Sequence, residues 1–284
     1  MQPTEYHKKI IQYYKETENA YKDSWDLKNS LSIHYGYWDI FVKSFSQSLI
    51  RMNEMMLMMG RVKAKDRVLD AGCGVGGSSI FLASILDCRV TGITLSERQA
   101  EQATENARKK GLADKVDFKI MNYAHTSFPD QSFDVVWGCE SVCYADNKED
   151  FVKEAFRLLK PGGRLIIADG FVAKFENNDD PVIRQWLDGW QVNYLETPDR
   201  FQQFLREQGF SRIVHRDISP EVAHSSRRLL YFYFLANLYL FWKKISFSRP
   251  ATAMQKQNIR ACKYQYIGMK KGLWQYAFIS GRKP

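Results

Sequence analysis

Val68-Leu-Asp-Ala-Gly-Cys-Gly-Val-Gly-Gly-Ser-Ser79 runs from a short apolar strand into a glycine-rich turn, and from the turn into a helix. Glycines at 72 and 74 let the backbone come close to a ligand where a Cβ would clash. In parallel sheets, ligands bind in the crevice beyond the carboxyl ends of the strands. A glycine-rich turn alone is also what dinucleotide binders carry, and a tight strand–helix turn can bind nothing.

Reading outward, strands and helices alternate. Arg67–Asp70, Arg89–Ile93, Val116–Ile120, Phe133–Trp137 and Arg164–Ala168 read as strands, with helical patterns near 77–86, 96–110 and 148–159 between them. Ser96-Glu-Arg-Gln99 has capping-box spacing, Gly111 stops that helix, and Pro161-Gly-Gly163 reads as a turn before the fifth strand. Such alternation predicts a parallel sheet with helices on both faces. Arg212–Ile218 and Leu273–Gly281 read as a sixth and a seventh strand.

Asp70-x-Gly72-x-Gly74-x-Gly76 resembles motif I of the class I S-adenosylmethionine-dependent methyltransferases. Gly92-Ile-Thr-Leu-Ser-Glu-Arg-Gln99, Phe128-Pro-Asp-Gln-Ser-Phe-Asp134 and Leu158-Leu-Lys-Pro-Gly-Gly163 match its later markers in order and spacing. The likeness covers roughly residues 60–175 and is specific as a set. A narrower one rests on His34–Trp38, Glu140-Ser-Val-Cys-Tyr144 and Ser280-Gly-Arg-Lys-Pro284. These resemble the sterol, γ-tocopherol and geranyl diphosphate methyltransferases, cyclopropane fatty-acid synthases and some sugar O-methyltransferases. The resemblance implies an α/β, Rossmann-like, seven-stranded, mostly parallel sheet. It divides the chain into an N-terminal helical lid (1–60), a cofactor-binding core (61–175), and helical cap insertions with the last two strands (176–284).

The resemblance also implies roles. Asp70, Gly72 and Gly74 hold the methionine part of S-adenosylmethionine. The usual ribose acid is replaced by Thr94 and Leu95, with Gln99 taking the ribose contact or simply capping its helix. Asn122 stands where an adenine-side acid is usual, Tyr123 packs on the adenine or in the core, and Cys139 completes the cofactor set. Tyr35, Tyr37 and Trp38 fold over the cofactor, because aromatic faces attract the cationic sulfonium. Glu140 follows the fourth strand and is the base that removes a proton if the acceptor is an alkene; otherwise it organises the loop. Asp169 is the weaker second catalytic candidate, and His34, Tyr144 and His125 are weaker still. Methyl displacement needs no metal, and none is expected.

The cap suggests the acceptor. Residues 229–242 are apolar all round, which means a helix that is buried or sits at an interface. Trp186, Trp190 and Tyr194 wall a pocket or form the cap's own core. The net charge is +9, and the excess lies in 176–284, with 17 basic against nine acidic residues; after Glu221 there is no acid at all. A one-signed segment of that kind holds a phosphate or diphosphate, docks on an anionic membrane, or is solvated. The expected acceptor is a lipophilic or anionic small molecule, first of all an isoprenoid alkene carbon. O- or N-methylation of a natural product is the alternative. A nucleic-acid methyltransferase is disfavoured, since no Asn/Asp-Pro-Pro-Tyr, Pro-Cys or RNA-binding motif is present. A non-catalytic cofactor-binding module is the fourth reading. Five cysteines without a CxxC pair, no apolar run near the roughly 20 residues of a span, and no signal-like N-terminus lead to an expected cytoplasmic location.

Overall fold

The computed structural model describes residues 3–25, 30–245 and 250–284. In chain order its main elements are α1 (Glu5–Ser24), α2 (Phe45–Met59), β1 (Arg67–Ala71), α3 (Gly77–Leu86), β2 (Arg89–Thr94), α4 (Glu97–Lys109), β3 (Val116–Ile120), β4 (Phe133–Cys139), α5 (Lys148–Leu158), β5 (Leu159–Val172), α6 (Pro181–Gly189), α7 (Pro198–Gln208), β6 (Ser211–Asp217), α8 (Ser219–Ile245), α9 (Ala253–Lys270) and β7 (Trp274–Arg282). The seven strands form one sheet in the order β3-β2-β1-β4-β5-β7-β6. The first five are parallel, and β7 runs antiparallel between β5 and β6. The central strands are apolar on both faces because helices cover both: Val68, Leu69, Val135, Val136, Leu165, Ile166 and Ile167 are all buried.

The order reverses between β1 and β4, and the crevice opens there. Two short devices shape its floor. Gly72 N–H and Cys73 N–H both donate to the Ile93 carbonyl at 2.9 Å, folding the turn after β1 against β2. Ser141 Oγ donates to the Ala71 carbonyl at 2.5 Å, joining the ends of β1 and β4.

Three expectations need correction. The segment Pro161–Gly163 is no turn ahead of the fifth strand but a bulge within it. The register with β4 jumps from Phe133↔Leu159 to Val135↔Arg164, and the extra residues are absorbed in between. Tyr37 and Trp38 do not reach the crevice. Tyr37 stacks on Phe278, while Trp38 stacks on His224 of α8 with ring centroids 3.9 Å apart and donates Nε1 to Ser225 Oγ. Gly36 lets the loop press on α2: a Cβ there would lie 1.9 Å from Ser48 Oγ. Finally, of the two readings of 229–242, the buried one fails and the interface one stays open: α8 buries Leu229, but its outer end is largely exposed.

Candidate active site

Two cavities meet at Glu140. The first is a cleft of about 900 Å³, counting the space it opens to solvent. It brings together Asp70, Gly72, Gly74, Thr94, Leu95, Gln99, Tyr123, Cys139 and Glu140, all residues expected from the sequence. The second, about 630 Å³, is bordered by Glu140 and Asp169 and reaches under the aromatic side chains of α6 and β7.

In the cleft, buried Asp70 accepts from Ser79 Oγ at 2.6 Å, and burial raises its pKa to about 6. Gly74 has φ +52°, and a Cβ built on it would meet nothing within 4 Å; it would stand in the open cleft. That cradle, with the Asp70 carboxyl at its edge, fits a cofactor bearing a positive charge. Thr94 Oγ1 donates to Gln99 Oε1 at 2.8 Å. Ser96 Oγ meanwhile caps the Gln99 N–H, so capping and cleft lining coexist in one residue, whose amide NH₂ is left to donate. Tyr123 donates its hydroxyl to the Ser141 carbonyl at 2.7 Å and sets its ring edge-on to Phe151.

Asn122 does not join the cleft lining. Its Oδ1 accepts from the Ala124 N–H, which closes a local turn. Tyr35 is also displaced from its expected place. Its ring is buried beside Trp274 and Tyr276, and its hydroxyl donates to Gln265 Oε1, so it lines the second cavity. His125 lines neither cavity. His34 reaches the cleft, but burial lowers its pKa to about 4, and Nδ1 lies 2.8 Å from the Tyr35 carbonyl. A carbonyl only accepts, so Nδ1 carries the proton and the ring is neutral.

Glu140 sits at φ +49°, with its N–H held by the Ala168 carbonyl at 2.8 Å. This left-handed turn aims the side chain across the junction of the cavities. Oε1 accepts from the Tyr35 N–H at 2.5 Å and from the Tyr276 hydroxyl at 2.7 Å. Burial outweighs both bonds and raises its pKa to about 8. Asp169 accepts from the N–H groups of Cys143 and Gly170, and burial takes it to about 6.

Helix α1 lies across the cleft, with Ile10, Ile11 and Tyr14 forming part of its wall. Its tethers run to three sides: His7 to Asp146 at 2.9 Å, Glu18 to Arg98 and Gln102 of α4, and Glu16 to Thr252 and Gln255.

Sequence reasoning missed Tyr276, Trp274 and Lys148. The first two lie on one face of β7 with Phe278, three aromatics at alternate positions, and that alternation was the available signal. Lys148 is buried. Its Nζ donates to the carbonyls of Cys143 and Ala145, both at 2.9 Å, and sits 3.7 Å from the Tyr194 ring centroid. Burial lowers its pKa to about 8. It pins the loop whose Cys143 N–H holds Asp169. Lys148→Met is expected to cost about 1–3 kcal/mol in denaturant unfolding, the range for charged hydrogen bonds lost from a buried site. An unchanged midpoint would show that the tether is dispensable.

The methyltransferase domain family matches residues 69–167. The 27-O-demethylrifamycin SV methyltransferase of Amycolatopsis mediterranei is 33% identical over 204 residues, covering 71% of this chain and 74% of that protein. The chain belongs to the S-adenosylmethionine-dependent methyltransferases. Tocopherol O-methyltransferase of Arabidopsis thaliana, a chloroplastic protein, is 27% identical over 98% of this chain and 82% of its own length. The fold of this methyltransferase also matches geranyl diphosphate C-methyltransferase from Streptomyces coelicolor, with a TM-score of 0.74, 20% identity and full coverage of both chains. That structure was solved with geranyl diphosphate and S-adenosyl-L-homocysteine. The cofactor of the present methyltransferase is S-adenosylmethionine, and its acceptors are small molecules.

Proposed function

We propose that this methyltransferase acts on a π-bonded carbon of a lipophilic small molecule, an isoprenoid or related lipid, with Glu140 as the base. The observation that carries this is the second cavity. Trp25, Trp186, Trp190, Trp274, Leu187 and Leu195 are among its walls, Glu140 and Asp169 are its carboxyl groups, and no Lys, Arg or His is among its described lining residues. Such a chamber disfavours a phosphate or diphosphate. No described basic residue after Glu221 lines it or the cleft, so the reading of that segment as a holder for an acceptor's phosphate or diphosphate is not carried forward. It favours an apolar acceptor and any positive charge that develops on it.

When bound, S-adenosylmethionine supplies an electrophilic methyl group. An alkene carbon that takes this group leaves a cation on its neighbour. Glu140 then accepts a proton from the adjacent carbon, and the alkene reforms with charge and atoms balanced. A free carboxyl with a pKa of about 8 is largely protonated at neutral pH, but a cation beside it favours the carboxylate. We read Asp70, Gly72, Gly74, Thr94, Leu95, Gln99, Tyr123 and Cys139 as the cofactor set, and Asp169 as the second carboxylate facing the acceptor.

The buried indole N–H groups of Trp186 and Trp190 have no hydrogen-bond partner among the described residues. They favour a second reading, in which the acceptor carries an oxygen beside them and that oxygen is methylated. One assay separates the two. Protein, methyl-labelled cofactor and a lipid extract are incubated, and the labelled product is fragmented in a mass spectrometer. Label on carbon in an organic-soluble product supports C-methylation; label on oxygen supports the second reading; label confined to water-soluble products overturns both. Trp190→Leu is expected to raise KM for the acceptor by about tenfold or more, from lost aromatic burial, and to leave cofactor affinity unchanged. An unchanged KM would place the acceptor elsewhere.

A further inference from the structure

No described Lys or Arg after Glu221 lines either cavity, and α8 carries a feature that neither cavity uses. Beyond Leu229 its outward side is apolar. Tyr231, Phe234, Leu235, Leu238, Phe241 and Trp242 are each 55–65% exposed. Their spacing of three and four residues aligns them in one stripe along the helix. Asn237 lies among them, but its Nδ2 donates to the Tyr233 carbonyl at 2.7 Å and so turns its amide onto its own helix. The opposite side of α8 packs on α9.

Helix α9 returns alongside and supplies charge. Lys263 Nζ lies 5.6 Å from the Tyr233 ring centroid, which fixes the register of the two helices. Arg260 and Lys256 follow, one and two turns nearer the start of α9, and both are exposed. From Val222 onward the sequence holds no Asp or Glu.

We propose that the α8–α9 hairpin seats this protein on an anionic lipid surface, with the apolar stripe in the acyl boundary and the basic row at the phosphates. Charge selects this occupant over a second copy of the chain. In a two-fold contact the same patch faces itself, and two such hairpins would oppose basic rows with no acid on either beyond Glu221 in the first turn of α8. Trp, Tyr and Phe flanked by Lys and Arg is the composition of a helix lying in a bilayer interface. No helix among the described residues is long and apolar enough to cross a membrane, so the contact is peripheral. The base of the hairpin touches the acceptor chamber: Ser226 Oγ and the Tyr35 hydroxyl both donate to Gln265 Oε1, at 2.7 and 2.8 Å. Seating the hairpin thus brings the chamber close to dissolved lipids. The docking itself does not depend on which acceptor is methylated.

The test is sedimentation of the full chain with vesicles of phosphatidylcholine alone and of phosphatidylcholine with phosphatidylglycerol. The wild type is expected to bind the anionic vesicles, less so at high salt, and to bind neutral vesicles poorly. Phe234→Ser/Leu238→Ser/Trp242→Ser and, separately, Lys256→Glu/Arg260→Glu should each lower the partition coefficient by about tenfold or more. Circular dichroism and cofactor titration verify that the variants are folded. Absence of wild-type binding to anionic vesicles overturns the proposal, as does wild-type partitioning by both folded variants. A wild-type dimer in light scattering that the serine variant converts to monomer, with vesicle binding unchanged, would assign the stripe to a second copy and overturn it as well.

Discussion

Glu140→Gln lowers turnover of an alkene acceptor by about 10²–10⁴-fold, the usual contribution of a positioned general base. Cofactor affinity should stay within a few-fold, because the Gln carbonyl can still accept from the Tyr35 N–H and the Tyr276 hydroxyl that now meet Oε1. The pH dependence separates a base from a brace. The active form of a base is the carboxylate, so wild-type kcat/KM should rise with pH through about 8, where the free carboxyl ionises. The variant should lose that limb. Stability runs the other way. The folded pKa lies above the ordinary 4.5, so the contribution of Glu140 is fully present below 4.5 and is lost as pH rises through about 8. Relative to wild type, the Gln variant should therefore gain stability across that window. Near-full turnover by a folded variant would remove Glu140 as the base; loss of turnover with an unchanged pH limb would make it a positioning residue.

Two glycines of one turn should fail in different ways. Gly74→Ala adds a methyl that meets no protein atom within 4 Å, so unfolding should register only the cost of a left-handed alanine, about 1–2 kcal/mol. Its effect should fall on the cofactor, with affinity down by about tenfold to a hundredfold from overpacking. Gly72→Ala adds a methyl 2.3 Å from Ser141 Cβ at φ +92°. Ser141 must then move, and with it the bond to the Ala71 carbonyl that joins β1 to β4. A stability loss of about 2–4 kcal/mol is expected, with turnover falling because Glu140 is the next residue. Calorimetric titration and denaturant midpoints on the two variants check the contrast. Full cofactor affinity in Gly74→Ala would mean that the turn does not touch the ligand.

These contrasts show what the chain discloses locally and what it withholds. All seven strands were legible, because apolar runs bounded by glycine, proline and polar turns announce themselves within a few residues. The cleft was legible for the same reason: Asp70 through Gly74 and Thr94 through Gln99 lie in short continuous segments. Most of what failed depended on distant partners. Tyr35 looked like a cofactor contact within its loop, but its place is set by Gln265, 230 positions away. Tyr276 becomes Glu140's partner only through the β5–β7 register. Asn122 was assigned to adenine by analogy, but it closes a local turn outside the cleft lining. The apolar run of 229–242 shows the limit of composition, since hydropathy reads the same for a side chain in a core and one facing out.

The placement of β7 sets an order of assembly. A ribosome delivers β6 before α8 and α9, and those helices before β7, yet β6 pairs in the sheet only with β7. Until β7 emerges, β6 is a strand edge without a neighbour, and β5 lacks one of its two. The nascent chain must hold open a gap that the later strand enters from between them, a long-range closure of the kind that slows folding. Tyr276 arrives on that strand. Glu140 therefore waits for its phenolic partner while the cofactor turn, built some 200 residues earlier, is already made. The cleft can ripen early on the ribosome; the wall that Trp274 and Tyr276 give the second cavity is delivered late.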